Sequence, residues 1–115
     1  MKAIFAMIFS LISLPAIASD NFTCSAKGEK VIVTMSRFDQ QLTHNGFLFK
    51  DCKRDQWNSG KVVFECEDKS NDRGIQLFVE LVNDHAVSAG LGYRIRGSQH
   101  GGEEDGSTID LTCKD

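Results

Sequence analysis

The sequence predicts a single small all-β domain that follows an export signal and is cross-linked by two disulfides. Three observations carry this prediction. Apolar and polar residues alternate along most of the chain, turn-forming residues recur at short intervals, and the cysteine count is four. Alternation with period two is typical of half-buried strands, and we find no convincing helical period. A length of 115 residues allows one domain.

The N-terminal residues 1–18 have the pattern of a secretory signal peptide. Lys2 precedes a short apolar run, which is followed by Pro15 and a small-x-small motif that ends at Ala18. The run is shorter than the roughly 20 apolar residues that a membrane-spanning helix needs. We therefore expect cleavage after Ala18, no membrane insertion of residues 19–115, and a secreted or periplasmic location, with a bacterial Sec-type signal as the best match.

The charge of the chain argues against two classes of partner. It carries 13 Lys and Arg against 16 Asp and Glu, a formal net charge of −3, and loss of Lys2 with the signal makes the remainder more acidic. Proteins that bind nucleic acids or anionic membranes usually carry a basic excess. We therefore expect no nucleic-acid partner and no binding to an anionic membrane surface.

An even number of cysteines in a short exported chain indicates disulfides. Their spacing is not that of a zinc site, and we expect neither a resident metal nor a cofactor. Three connectivities are possible. We favour Cys24–Cys113 with Cys52–Cys66, because closing a barrel would join the terminal strands and because the second pair flanks one predicted loop.

Seven or eight antiparallel strands are predicted, in either a closed barrel or a two-sheet sandwich. The strongest hairpin pattern is Asn45-Gly46, which would place Leu42 opposite Phe49. Polar stretches at 53–60 and 68–74 are expected to be loops. The predicted strands include 31–36, 42–44, 47–49, 62–66, 75–81, 87–96 and 108–113.

Matching apolar faces predicts two registers. For the hairpin with a three-residue loop at 83–85, the expected pairs are Leu81–Val87, Val79–Ala89, Leu77–Leu91 and Ile75–Tyr93. For the last hairpin, Ile95 is expected opposite Ile109, which would also place Arg94 opposite Asp110. Both registers place the same face of the predicted strand 87–96 toward the core.

The polar segment 97–106 is the first candidate site. It contains His100 and three consecutive acids, Glu103, Glu104 and Asp105. Imidazole and carboxylates are competent metal ligands, but the spacing is not that of an EF-hand loop. A flexible hairpin tip is the simpler interpretation, and the segment is also a candidate contact for a cationic partner.

A second candidate is Trp57, the single tryptophan, with Arg54 beside it in the stretch 53–60. An exposed aromatic near an arginine is a plausible interface anchor or a surface on which a sugar ring stacks. The alternative is an indole that plugs one end of the core. The histidines His44, His85 and His100 fall at predicted turns or loops, so we expect them to be exposed.

The segment Phe22-Thr-Cys24-Ser-Ala-Lys-Gly28-Glu-Lys-Val31-Ile-Val33, together with Cys113, resembles the periplasmic C-type lysozyme inhibitors. The resemblance implies a small secreted barrel whose terminal strands are joined by a disulfide. That family's Ser-Gly-x-x-Tyr motif is not reproduced, since the nearest text, Ser88-Ala-Gly90-Leu-Gly-Tyr93, has a different spacing. No functional residue is carried over.

The sequence contains no motif that indicates catalysis, so we expect an exported binding module. Its partner would be a protein or a glycan, contacted through the polar stretches 53–60 and 97–106, and inhibition of a secreted enzyme is one form of such binding. One alternative is a structural or envelope-associated protein without a small ligand. Another is a small metal-dependent hydrolase that uses His100 with Glu103, Glu104 or Asp105.

Overall fold

The computed structural model describes residues 21–36, 39–58, 60–101 and 107–115, with the backbone alone at Trp57. Over these residues the chain forms ten antiparallel strands and one short 3-10 turn, Lys69–Asn71. The strands are β1 Asn21–Ala26, β2 Glu29–Met35, β3 Gln40–His44, β4 Phe47–Phe49, β5 Cys52–Asn58, β6 Lys61–Asp68, β7 Arg73–Val82, β8 His85–Ile95, β9 Ser98–His100 and β10 Ile109–Lys114. No helix in this part of the chain is long and apolar enough to cross a membrane.

The strands form one nearly closed, barrel-like sheet with the order β4-β3-β2-β1-β10-β8-β7-β6-β5, and β9 pairs with the end of β8. The terminal strands β1 and β10 lie side by side. The end strand β5 contacts β3 without joining its ladder, which nearly closes the sheet on itself. The all-β prediction is confirmed, and of its two alternatives the barrel describes the sheet.

The predicted count of seven or eight strands is too low, partly because the polar stretch 53–60 is not a loop. Its residues form most of β5, which pairs along β6 from Cys52 opposite Cys66 to Asn58 opposite Lys61. A strand at the end of a sheet has one unpaired edge, so polar side chains there remain solvated and discourage edge-to-edge aggregation. The strand lacks the apolar alternation on which the prediction relied.

The Asn45-Gly46 hairpin is confirmed. Both residues have positive φ, 48° and 89°, as a two-residue turn between right-twisted strands requires. Leu42 lies opposite Phe49 in the ladder, as predicted.

The β7–β8 register is confirmed for the pairs Val79–Ala89, Leu77–Leu91 and Ile75–Tyr93. The pair Leu81–Val87 is wrong, because Leu81 lies opposite Ala86 after a bulge. The turn has two residues rather than three, with Asn83 and Asp84 at φ 52° and 66°. The bulge compensates for the shorter turn, so the apolar faces still match further along the hairpin.

The predicted register of the last hairpin is wrong. Ile109 lies opposite Leu91, and the end of β8 pairs instead with β9, so that Arg94 faces Gln99 rather than Asp110. A tight turn at Arg96-Gly97, with φ of 50° and 80°, starts β9 directly after β8. The shift is an even number of residues, so the core face predicted for these strands is preserved.

The barrel interior is filled by side chains from nearly every strand, and the rings of Phe22 and Phe64 meet at 5.9 Å between centroids. Both favoured disulfides are present. Cys24–Cys113 joins β1 to β10, and Cys52–Cys66 joins β5 to β6. The fully buried large side chains are Phe22, Phe49, Phe64, Leu42, Leu77, Leu91, Val31, Val33 and Val79.

Candidate functional site

At one end of the barrel the apolar filling gives way to polar and aromatic side chains. Here the first residues of β2 and β7 meet the last residue of β3, the first of β4, and the ends of β8 and β9. Each side chain continues the inward-facing alternation of its strand, as Glu29 does before Val31 and Val33. We call this group the barrel-end cluster; it comprises Glu29, His44, Phe47, Arg73, Tyr93 and His100.

The cluster is built on a buried pair, Glu29 and His44. His44 is 5% exposed and is the buried polar residue of the described chain. Its Nε2 donates to Oε1 of Glu29 over 2.7 Å, and the Glu29 side chain is itself only 15% exposed. The other carboxylate oxygen, Oε2, accepts from the Tyr93 hydroxyl at 3.4 Å. One carboxylate therefore fixes the positions of two rings.

Three rings, His44, Tyr93 and His100, contact one another in order from the buried pair outward. The centroids of His44 and Tyr93 are 4.4 Å apart with the planes tilted by 50°, and those of Tyr93 and His100 are 4.9 Å apart at 18°. Tyr93 is half-buried and His100 is exposed. The stack therefore runs from the buried end of the barrel to its surface.

The environment of Tyr93 raises the pKa of its phenol above the ordinary tyrosine value. Burial is the largest cause, because the anion would lose solvation. The negative charge of Glu29 and its hydrogen bond with the protonated hydroxyl act in the same direction. Tyr93 therefore serves as a neutral donor and a rigid ring at neutral pH.

On the other side of the cluster, Arg73 lies over an aromatic ring. Its Cζ is 4.1 Å from the centroid of Phe47, a cation–π contact. Phe47 is held by an edge-on contact with the buried Phe49, 5.0 Å between centroids. The guanidinium is thus placed by packing on β4.

A second concave feature lies on the outer face of β6, β7 and β8. It is an open groove of about 470 Å³, within the size range of small-ligand sites. Some of its polar side chains already have partners: Gln76 donates to Glu65 at 2.8 Å, and the Arg94 guanidinium lies over Gly74, 3.7 Å from Asp72. Other lining residues include Asp51, Lys53, Glu67, Lys69 and Gln99.

The two sequence-predicted site residues whose side chains are described, Arg54 and His100, do not come together. His100 lies in the barrel-end cluster, whereas Arg54 places its Nη1 3.6 Å from Sδ of Met35, the last residue of β2. Because Glu29 is the first residue of β2, these two positions lie at opposite ends of that strand. The indole of Trp57 and the acids Glu103, Glu104 and Asp105 lie outside the described residues.

The expectation that all three histidines are exposed is wrong for His44, while His85 and His100 are exposed. His44 alternates with Leu42 and occupies the core face of β3, where Glu29 satisfies its ring nitrogen. Sequence reasoning also missed Glu29, Arg73 and Tyr93 as site residues. Within the described ranges, no group of three or more His, Cys, Asp or Glu is placed to hold a metal ion.

Comparisons with protein-family models, with curated proteins and with solved structures found no match for this chain. The disulfide between terminal strands, which the resemblance to lysozyme inhibitors implies, is present as Cys24–Cys113. Its function is therefore inferred from the geometry of its own residues.

Proposed function

We propose that this protein is an exported binding module and that the barrel-end cluster is its contact surface. The observation that carries the proposal is the stack of His44, Tyr93 and His100, which reaches the surface and is held from behind by Glu29. Tyrosine and arginine are the residue types that most often dominate binding energy at protein interfaces, and this surface presents one of each.

Strand placement supports the same proposal. Tyr93 and His100 lie opposite each other in the β8–β9 ladder, and Arg73 begins β7. Side chains ordered before binding lose less conformational entropy when a partner arrives. The cluster is therefore suited to recognising a protein partner without rearrangement.

Export is part of this proposal. Residues 1–18 would be removed as a signal peptide, and the remaining chain would act in the periplasm or outside the cell. The two disulfides are compatible with such an oxidising compartment. Enzyme inhibition would be one consequence of binding, if the partner covers or fills an active site with this surface.

The direct test places a photo-crosslinking residue at His100, on the cluster, or at Gln76, in the outer groove as a matched control. The protein is recovered from its own exported compartment without reduction and weighed by native mass spectrometry. We expect a mass that begins near residue 19 with both disulfides intact, and a discrete heteromeric adduct from position 100 alone.

Other adducts would indicate other functions. An adduct from position 76 alone would move the site to the groove, and self-adducts at both positions would favour a structural protein that assembles with itself. A constitutive metal in the native mass would favour the metal-dependent hydrolase. A captured enzyme would then be assayed with and without the purified protein, which decides whether binding inhibits it.

A further inference from the structure

We propose that Arg73 receives a carboxylate side chain of the partner protein. This inference rests on the proposed binding function and adds the chemistry of the group that is bound. It predicts that the partner contributes an Asp or Glu to the barrel-end cluster, next to the stacked rings of Tyr93 and His100.

Within the part of the chain that the structure describes, the guanidinium of Arg73 donates no side-chain hydrogen bond. Its contact with Phe47 is made through the guanidinium carbon, 4.1 Å from the ring centroid. A guanidinium carries five N–H donors around its edge and no acceptor. Contact with an aromatic face holds the cation in place without occupying those donors.

Among the described residues, no acidic side chain is placed to compensate the charge of Arg73. No carboxylate of the described residues lies within 4.0 Å of its nitrogens. The carboxylate of the cluster, Glu29, is occupied by His44 and by the Tyr93 hydroxyl. A half-buried arginine placed by packing, with its charge unpaired in this part of the chain, is suited to a bidentate carboxylate.

Arg94 provides the contrast within the same protein. It is also half-buried and lies on a neighbouring strand, but its Nε is 3.7 Å from Oδ1 of Asp72 and its guanidinium covers Gly74. Arg94 thus already has an acidic neighbour on the outer face. If any arginine of this protein bound anions equally well, Arg73 and Arg94 would both bind a carboxylate. We expect binding at Arg73 alone.

The net charge of the chain is negative, so attraction of a carboxylate is confined to the immediate surroundings of Arg73. With 16 acidic against 13 basic side chains, the molecule as a whole repels anions. A carboxylate would therefore be held at Arg73 by direct hydrogen bonds rather than by a long-range field. The ring of Phe47 beneath the guanidinium favours a carboxylate carried on an aliphatic side chain.

The test follows the arginine side-chain NMR signals of the disulfide-intact protein during titration. The probe is an acetylated, amidated tetraglutamate peptide, the neutral control is its tetraglutamine equivalent, and inorganic phosphate is a separate arm. We expect a saturable shift of the Arg73 signal with tetraglutamate alone. Arg73→Gln should weaken binding by roughly tenfold or more, the loss typical of a charged hydrogen-bonded contact.

Two further variants separate geometry from charge. Arg73→Lys keeps the charge but loses the planar fork, so it should also weaken binding. The matched control Arg94→Lys should leave it unchanged. Equal effects of Arg73→Lys and Arg94→Lys, no saturable shift with tetraglutamate, or binding of phosphate alone would each overturn the proposal.

Failure of this inference is distinguishable from failure of the binding function. If the adduct formed at position 100 persists at the same yield in Arg73→Gln, the cluster binds a partner but Arg73 does not receive a carboxylate. If no heteromeric adduct forms at position 100 even when Arg73 is retained, the proposed function fails as well.

Discussion

Removing the two disulfides one at a time should lower the free energy of unfolding by unequal amounts. Cys24 and Cys113 are separated by 89 residues, whereas Cys52 and Cys66 are separated by 14. A cross-link stabilises mainly by restricting the unfolded chain, and the effect grows with the logarithm of the loop it closes. That relation gives a loss of about 4.6 kcal/mol for Cys24→Ala/Cys113→Ala. It gives about 3 kcal/mol for Cys52→Ala/Cys66→Ala.

The chain provides its own matched control for this comparison. Each disulfide joins residues that lie directly opposite in neighbouring antiparallel strands, with the same Cα–Cα distance of 4.0 Å. The two double variants therefore differ mainly in loop length, and the expected difference between them is about 1.6 kcal/mol.

Urea unfolding under non-reducing conditions measures both losses. Removing the longer-range link should also steepen the dependence on urea more, because the unfolded chain then expands more. Equal losses in the two variants, or a larger loss from the 52–66 pair, would refute the loop-entropy reasoning. The native strands and their packing would then set the contribution of each disulfide.

Two further predictions concern the cluster and the sheet. Tyr93 is the single tyrosine, so near-ultraviolet absorbance follows its ionisation directly. Its pKa should lie above the ordinary tyrosine value. Glu29→Gln should lower the pKa of Tyr93 without restoring the ordinary value, because burial is the larger cause of the shift. Because the pKa of Tyr93 is raised in the folded state, its contribution to the free energy of unfolding is fully present below the ordinary tyrosine pKa and is lost as pH rises through the folded-state pKa. A titration midpoint of Tyr93 at or below the ordinary tyrosine value would contradict this. Gly90→Ala should cost about 1–3 kcal/mol in urea unfolding, because the new Cβ would lie 2.7 Å from Oγ1 of Thr108. Gly74→Ala meets only the movable guanidinium end of Arg94, at 3.2 Å. Its cost should therefore stay below about 1 kcal/mol, and equal costs would show that the contact with Thr108 does not decide the outcome.

Local patterns predicted the fold where the turn chemistry was explicit. Asn45-Gly46 specifies a hairpin because both residues adopt positive φ readily. The turn at Arg96-Gly97 also has positive φ at both residues, but arginine is not a residue type that indicates such a turn. The sequence therefore did not predict β9, and the predicted register of the last hairpin lies too far along β8. The core faces were nevertheless correct, because period-two alternation survives an even shift.

The candidate site was harder to predict because distant parts of the chain build it. Glu29 and Tyr93 are separated by 64 residues and meet only after the barrel has closed. One local pattern was sufficient to place His44, although the sequence analysis expected it to be exposed: it shares the alternation of Leu42 and so belongs on the core face of β3. Arg73 offered no such pattern, since it ends a polar stretch and reaches Phe47 only through the tertiary fold.

The polar composition of the barrel end is not what stability alone would favour. Burying the Glu29–His44 pair removes both side chains from water, and well-packed apolar residues would often stabilise the same position equally well or better. The rest of the described interior follows that simpler solution, with apolar side chains and the two disulfides. Polar burial here has a visible structural result, because one carboxylate holds His44 and Tyr93 in fixed positions and so sets the ring on which the exposed His100 stacks. A barrel selected for stability alone has no need of that arrangement, whereas a binding surface that must be ordered before its partner arrives does.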